Sequence, residues 1–201
     1  MLRDLFFIIG GYLLGSILFA RVFGMLLCSK DITQGTPDEN PGVANAFIMG
    51  GFLCGTLTLI CELGKGFLPV FLYLRGGGPH EALTFVMFAP VLGHILPVFF
   101  RFRGGKGIAA TFGSLLGLFP NFFPFAVLAL FFIFFSIALI ISPNYYRTLA
   151  AYICAEAVML VLSRDPSVLI GFSLITVSVT VRMLASREKK EPIKVGLIWK
   201  H

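Results

Sequence analysis

Between Gly93 and Gly113 the chain reads GHILPVFFRFRGGKGIAATFG. An apolar run ends at Phe100, Arg101, Arg103 and Lys106 surround a Gly-Gly-Lys-Gly turn, and the chain then turns apolar again. Glycines at such a turn leave backbone N–H groups open to a ligand, because no Cβ stands in front of them. If Gly107 opens a helix, that helix adds free N–H groups and the positive end of its dipole. Lys106 brings a mobile point charge, and an arginine brings a planar fork that matches phosphate oxygens. The chemistry predicted for Arg103, Gly104, Gly105, Lys106 and Gly107 is therefore capture of a phosphate at a membrane surface. The turn is not a Walker A sequence. For Arg101 and Arg103 alone, a positive loop that only orients the protein is the competing explanation.

A second polar stretch, DITQGTPDENPGVANAF from Asp31, is crowded with Gly, Pro, Asn and Asp and reads as turns rather than helix. Asn40-Pro41-Gly42 followed by Asn45 offers short amides and free N–H groups, which bind hydroxyls and anions without a formal charge. A structureless loop is the alternative. Arg21, Glu62, Lys65 and Glu156 lie inside apolar segments, where each needs a partner. Glu62 and Lys65 are three residues apart and share a helix face. Either they pair to fix helix packing or Lys65 lines a polar cavity, with Gly64, Gly66 and Pro69 loosening that helix. Glu156 is expected to pair with a cation such as Arg21. His94 stands seven residues before Arg101, as a packing residue or as one that orients a backbone group or substrate hydroxyl.

These residues need a frame, and the composition specifies it. Of 201 residues 57% are hydrophobic and 13% charged, with a net charge of +6 and a mean hydropathy of +0.92. A soluble domain carries about a quarter charged residues, so an integral membrane protein is expected, folded as one all-α helical bundle over residues 1–201. Apolar segments run over Leu5–Cys28, Phe47–Leu74, Leu83–Phe100, Gly107–Leu118, Phe122–Ile141, Thr148–Leu162 and Val168–Met183. Gly107–Leu118 is too short for the ~20 residues of a spanning helix and reads as a half-helix or a buried, tilted piece. With seven segments, eleven of the sixteen Lys and Arg fall on one side, among them Lys30, Arg101, Arg103, Lys106 and the tail, against Arg3, Arg75 and Arg164 on the other. That predicts an N-terminus outside, a cytoplasmic C-terminus, and the first loop and the glycine turn on the same cytoplasmic side. Cys28, Cys54, Cys61 and Cys154 have no metal-ligand spacing and read as small core residues. No metal and no nucleic-acid partner are expected, and with three histidines in all, a triad or a His-based metal site finds no support.

Taken together, these motifs resemble the bacterial acyl-phosphate:glycerol-3-phosphate acyltransferases, the PlsY family. Gly15-Ser16, Asp31, the Asn40–Asn45 stretch, Glu62 with Lys65-Gly66-Phe67 and Pro69, Gly93-His94, Pro97–Phe100 and Gly104–Gly107 through Ala110-Thr111 carry the likeness. The chain departs from the family pattern at five places. The first-loop serine is replaced by Thr36 or Asp38, Thr by Ala44 and Arg by Ile48. The Ser-Leu-Ala-Ser is Thr148–Ala151, and the final Arg-His-x-x-Asn keeps only Arg182 before Met183.

The resemblance implies transfer of an acyl group from an acyl phosphate to the 1-hydroxyl of glycerol 3-phosphate, giving lysophosphatidic acid and phosphate for phospholipid synthesis. It implies a multi-pass protein of the bacterial inner membrane, with the lipid bilayer and the two substrates as partners, no cofactor and no obligate protein partner. Lys106, His94 and Thr36 stand as catalytic residues. Arg103, Gly104, Gly105, Gly107, Asn40, Gly42, Asn45, Lys65 and Ser16 stand as substrate-binding ones. Two other classes fit the same residues, a homologue that binds lipid or acyl phosphate without turnover and a small transporter.

Overall fold

The computed structural model describes residues 1–36, 39–186 and 191–197. Asp38, the tail cations Arg187, Lys189, Lys190 and Lys200, and His201 lie outside the described residues. The helices are α1 (Leu2–Gly15), α2 (Phe19–Cys28), α3 (Val43–Arg75), α4 (His80–Ile95), α5 (Ile108–Leu116), α6 (Phe123–Ile133), α7 (Asn144–Leu162) and α8 (Pro166–Leu184). Four of them, α3, α4 with the 3-10 turn Val98–Phe100, α7 and α8, are long and apolar enough to cross a membrane. The pair α1 and α2 makes a fifth when counted as one span bent by 41°. A polytopic helical bundle was the expectation, and the bundle is present.

Three details differ from the expected segments. The first span is not one helix: it breaks over Ser16–Leu18. Helix α3 is interrupted at Gly51, whose φ of 77° and ψ of −175° no helix contains. The fifth apolar segment ends as a π turn, Phe134–Ala138, and then a short strand, β1 (Leu139–Ser142), which pairs antiparallel with β2 (Lys194–Leu197). The all-α expectation therefore misses one small ribbon, because an unbroken apolar run carries no mark of where helix gives way to strand. Helix α5 is nine residues long, as short as its sequence requires.

Two interfaces bring backbones together through glycine. A Cβ on Gly66 of α3 would lie 2.7 Å from Ser114 N, and one on Gly93 of α4 would lie 2.9 Å from Ser16 N. No side chain fits between those helices, and such small-residue contacts are how helices associate where lipid removes the hydrophobic drive. The main core fills the space among α3, α4, α5, α7 and α8 with Val70, Met87, Leu115, Tyr152, Met159 and Phe172, all fully buried.

Contacts between connections sort them to two ends of the bundle. Arg3 donates to Gly76 O and Gly77 O, and His80 faces Asp165, so the N-terminus, the α3–α4 turn and the α7–α8 turn share one end. Arg182 donates to Gly104 O at 2.7 Å, which puts the end of α8 beside the glycine turn at the other end.

Candidate active site

The break in the first span is where the polar residues converge. With no turn to continue into, Ile17 O and Phe19 N–H lose their helical partners, and each would be costly unpaired in an apolar bundle. Helix α3 supplies the replacements. Lys65 Nζ donates to Ile17 O at 2.7 Å, and Phe19 N–H donates to Glu62 Oε1 at 3.3 Å. Lys65 Nζ lies 2.8 Å from Glu62 Oε2, so the expected i,i+3 pair is formed, with both side chains fully buried. His94, at the end of α4, completes a trio. Its Nδ1 is 2.8 Å from Glu62 Oε2 and 2.9 Å from Lys65 Nζ. Ser16 Oγ, also at the break, donates to Tyr12 O and so closes the last turn of α1.

The glycine turn leans on this trio. Gly105 N–H donates to His94 O at 3.0 Å. A Cβ on Gly105 would collide with His94 Nε2, and one on Gly104 would fall 2.5 Å from Ile95 O. Gly107 does open a helix: it is the N-cap of α5 at φ 83°, a left-handed conformation that favours glycine. Lys106 is half-buried and Arg103 is exposed.

Facing the turn is a cavity of 830 Å³. The first loop lines it through Asp31, Thr33, Gln34, Glu39 and Pro41, and the glycine turn through Arg103 and Gly104. Arg21 of α2, Ser178 and Arg182 of α8 and Ser186 just beyond that helix complete the polar wall. Leu92, Ile95 and Leu96 of α4 and Val177 and Val181 of α8 form an apolar strip along the same space. First loop and glycine turn thus share one cavity, at one end of the bundle as their expected placement on the same side requires.

The sequence-selected residues divide into layers. Arg103 and Gly104 line the cavity; Gly105, His94, Lys65 and Ser16 lie behind it. In the first loop Asn45 Nδ2 donates to Thr36 Oγ1 and to Asn40 O, and Thr36 Oγ1 donates to Thr33 O. Those bonds shape the loop, and Gly42 caps α3 directly after it. The expected pairing of Glu156 with Arg21 does not occur. Glu156 accepts from Ser173 of the neighbouring α8, while Arg21 sits by Asp31 and the Phe100 ring. Sequence alone could place neither, because both contacts depend on which helices become neighbours.

Three departures from the family pattern, Ile48, Met183 and Thr148, are not among the residues that line the cavity. Ile48 is 74% exposed, Met183 is fully buried in the main core, and Thr148 Oγ1 is spent on Asn144 O. Arg21, Gln34 and Ser178 line the cavity without having been singled out as site residues. The available signal was an arginine inside an apolar segment that had no partner within its own helix.

The family model described as glycerol-3-phosphate acyltransferase matches residues 5–194. A Pseudomonas putida (strain W619) glycerol-3-phosphate acyltransferase is 37% identical over 174 residues, covering 85% of this chain and 87% of that protein. One from Pseudomonas syringae pv. tomato is 35% identical over 188 residues, covering 89% and 93%. The crystal structure of PlsY, an integral membrane glycerol 3-phosphate acyltransferase, in its glycerol 3-phosphate form superposes with a TM-score of 0.75 at 31% identity. The match covers 90% of this chain and 88% of that one. The lysophosphatidic acid form gives 0.72 at 30% identity, covering 89% and 87%. The chain belongs to the glycerol-3-phosphate acyltransferase family.

Proposed function

We propose that this protein transfers an acyl group from an acyl phosphate to the 1-hydroxyl of glycerol 3-phosphate, as a multi-pass enzyme of the bacterial inner membrane. The observation that carries the proposal is the single cavity shared by the first loop, the glycine turn and the end of α8, with a polar wall and an apolar strip. Relatives crystallised in glycerol 3-phosphate and lysophosphatidic acid forms support the acceptor and the product. The distribution of cations supports a cytoplasmic placement of the cavity, with seven crossings and the N-terminus outside.

The hydroxyl oxygen attacks the carbonyl carbon of the acyl phosphate, the bond from that carbon to the phosphate oxygen breaks, and the hydroxyl proton leaves with the departing phosphate. The donor is already activated, so positioning and charge stabilisation suffice and no covalent enzyme intermediate is required. Lys106, with the N–H groups of Gly104 and Gly107, holds one phosphate, Arg103 supports it, and Gly105, whose N–H is given to His94 O, sets the turn. Asn40, Gly42 and Asn45 shape the first-loop wall that receives the acceptor. Lys65 and His94 fix the turn from behind, and the acyl chain follows the strip between α4 and α8.

Lys106→Ala should lower transfer of labelled glycerol 3-phosphate by about 100-fold or more, the scale of losing a charged transition-state contact. Lys106→Arg should also be poor, since a fork does not replace a point charge in a tight turn. Normal transfer by a folded Lys106→Ala protein would remove the phosphate role.

A further inference from the structure

The wall that the first loop gives to the cavity is wrong for a phosphate. It consists of Asp31, Thr33, Gln34, Glu39 and Pro41, two acids and no cation. Arg182, which also lines the cavity, has one guanidinium nitrogen committed to Gly104 O. Arg21, on α2 just after the break in the first span, lines the same cavity.

Its surroundings hold it in place without using its donors. The guanidinium carbon lies 5.7 Å from the centre of the Phe100 ring, a contact made with the charge and not with the N–H groups. Nε is 3.8 Å from Asp31 Oδ2, beyond hydrogen-bond reach. The other oxygen of Asp31 is occupied, accepting from Thr33 N–H at 3.0 Å and Thr33 Oγ1 at 2.7 Å. Nε is buried with no hydrogen-bond partner, and the guanidinium donates no hydrogen bond among the described residues. Arg3 and Arg147, by contrast, donate to Gly76 O and Gly77 O and to Ser136 Oγ respectively. A guanidinium steered by an acid and a ring, facing a cavity with its donors uncommitted, is arranged for an anion that arrives from outside.

We propose that Arg21 is a phosphate-binding and specificity-determining residue of this cavity, gripping the phosphate group of a substrate in the space that Arg182 also lines. The assignment rests on the acyltransferase reading for the identity of the ligand. Two substrates carry the shared chemistry, glycerol 3-phosphate and the acyl phosphate, and the assay separates them.

The test uses the full chain purified in detergent, with R21Q and R21K beside the unaltered protein and thermal unfolding as the check on folding. The KM for each substrate is measured at saturation of the other. R21Q should raise one of the two KM values by about tenfold or more with kcat within about threefold, and R21K should recover part of the loss. The substrate whose KM moves is the one Arg21 holds. Both KM values within about twofold of the unaltered protein would overturn the assignment. Should R21Q fail to fold, R21K decides alone, with a rise of about threefold or more in one KM supporting the role and none overturning it. If the unaltered protein transfers no acyl group, the acyltransferase reading falls, and titration calorimetry with glycerol 3-phosphate and inorganic phosphate decides the binding role. Binding weakened about tenfold in R21Q upholds it, and equal binding or none at all removes it.

Discussion

Replacing Gly105 with alanine tests the claim that the buried trio holds the glycine turn in place. The added methyl carbon would lie 2.2 Å from His94 Nε2 and 3.1 Å from both Cδ2 and Cε1, whereas ordinary contact begins at 3.4 Å, so about 1.2 Å of movement is needed. The backbone of Gly105 is not in the left-handed region, so the clash is purely steric. The ring cannot swing aside freely, because its other nitrogen sits 2.8 Å from Glu62 Oε2. The turn cannot withdraw without breaking the 3.0 Å bond from Gly105 N–H to His94 O. Either route costs about 1–3 kcal/mol, the scale of an overpacked core or a broken buried hydrogen bond. A displacement of about 1 Å at a positioning element lowers turnover by about 100-fold. Acyl transfer to labelled glycerol 3-phosphate, with the melting temperature in detergent, should show that loss beside modest destabilisation. Gly64→Ala is the control, because its methyl would meet nothing within 4 Å. Activity of Gly105→Ala within about threefold of the unaltered protein would refute the idea that the trio supports the turn.

Two further outcomes follow from packing. Glu62→Ala leaves Lys65 buried and unpaired and should cost about 3–5 kcal/mol, whereas a Glu62→Gln, Lys65→Met double variant should regain much of that; thermal unfolding reads both. Gly66→Ala pushes a methyl into the backbone of α5, with Ser114 N only 2.7 Å away, and should lower the melting temperature more than Gly64→Ala does, with equal values counting against the close α3–α5 contact.

Much of the frame could be read from the chain because a bilayer imposes simple demands. Runs of apolar residues near the spanning length became α3, α4, α7 and α8, and the short run after Gly107 became a short helix. The spacing of Glu62 and Lys65 foretold their pairing, since i,i+3 partners meet on any helix. The break at Ser16–Leu18 was hidden, because no proline marks it and the residues that satisfy its backbone come from α3, more than forty positions away. The neighbours of Arg21 and Glu156 were hidden for the same reason. His94 showed only that it stood near the cations. Its place behind the turn, not in the cavity, depends on α4 ending where α5 begins to approach.

The 33 residues of α3 amount to about 50 Å of helix at ~1.5 Å per residue, against about 30 Å of hydrocarbon. The Gly51 break divides that length, and the part after it alone makes about 36 Å, so it has to lean or project, while the shorter part before it turns off next to the first loop. One reactant dissolves in water and the other in oil. A bend at Gly51, where the long part of the helix meets its short end, is a place for the first loop to meet both phases at once.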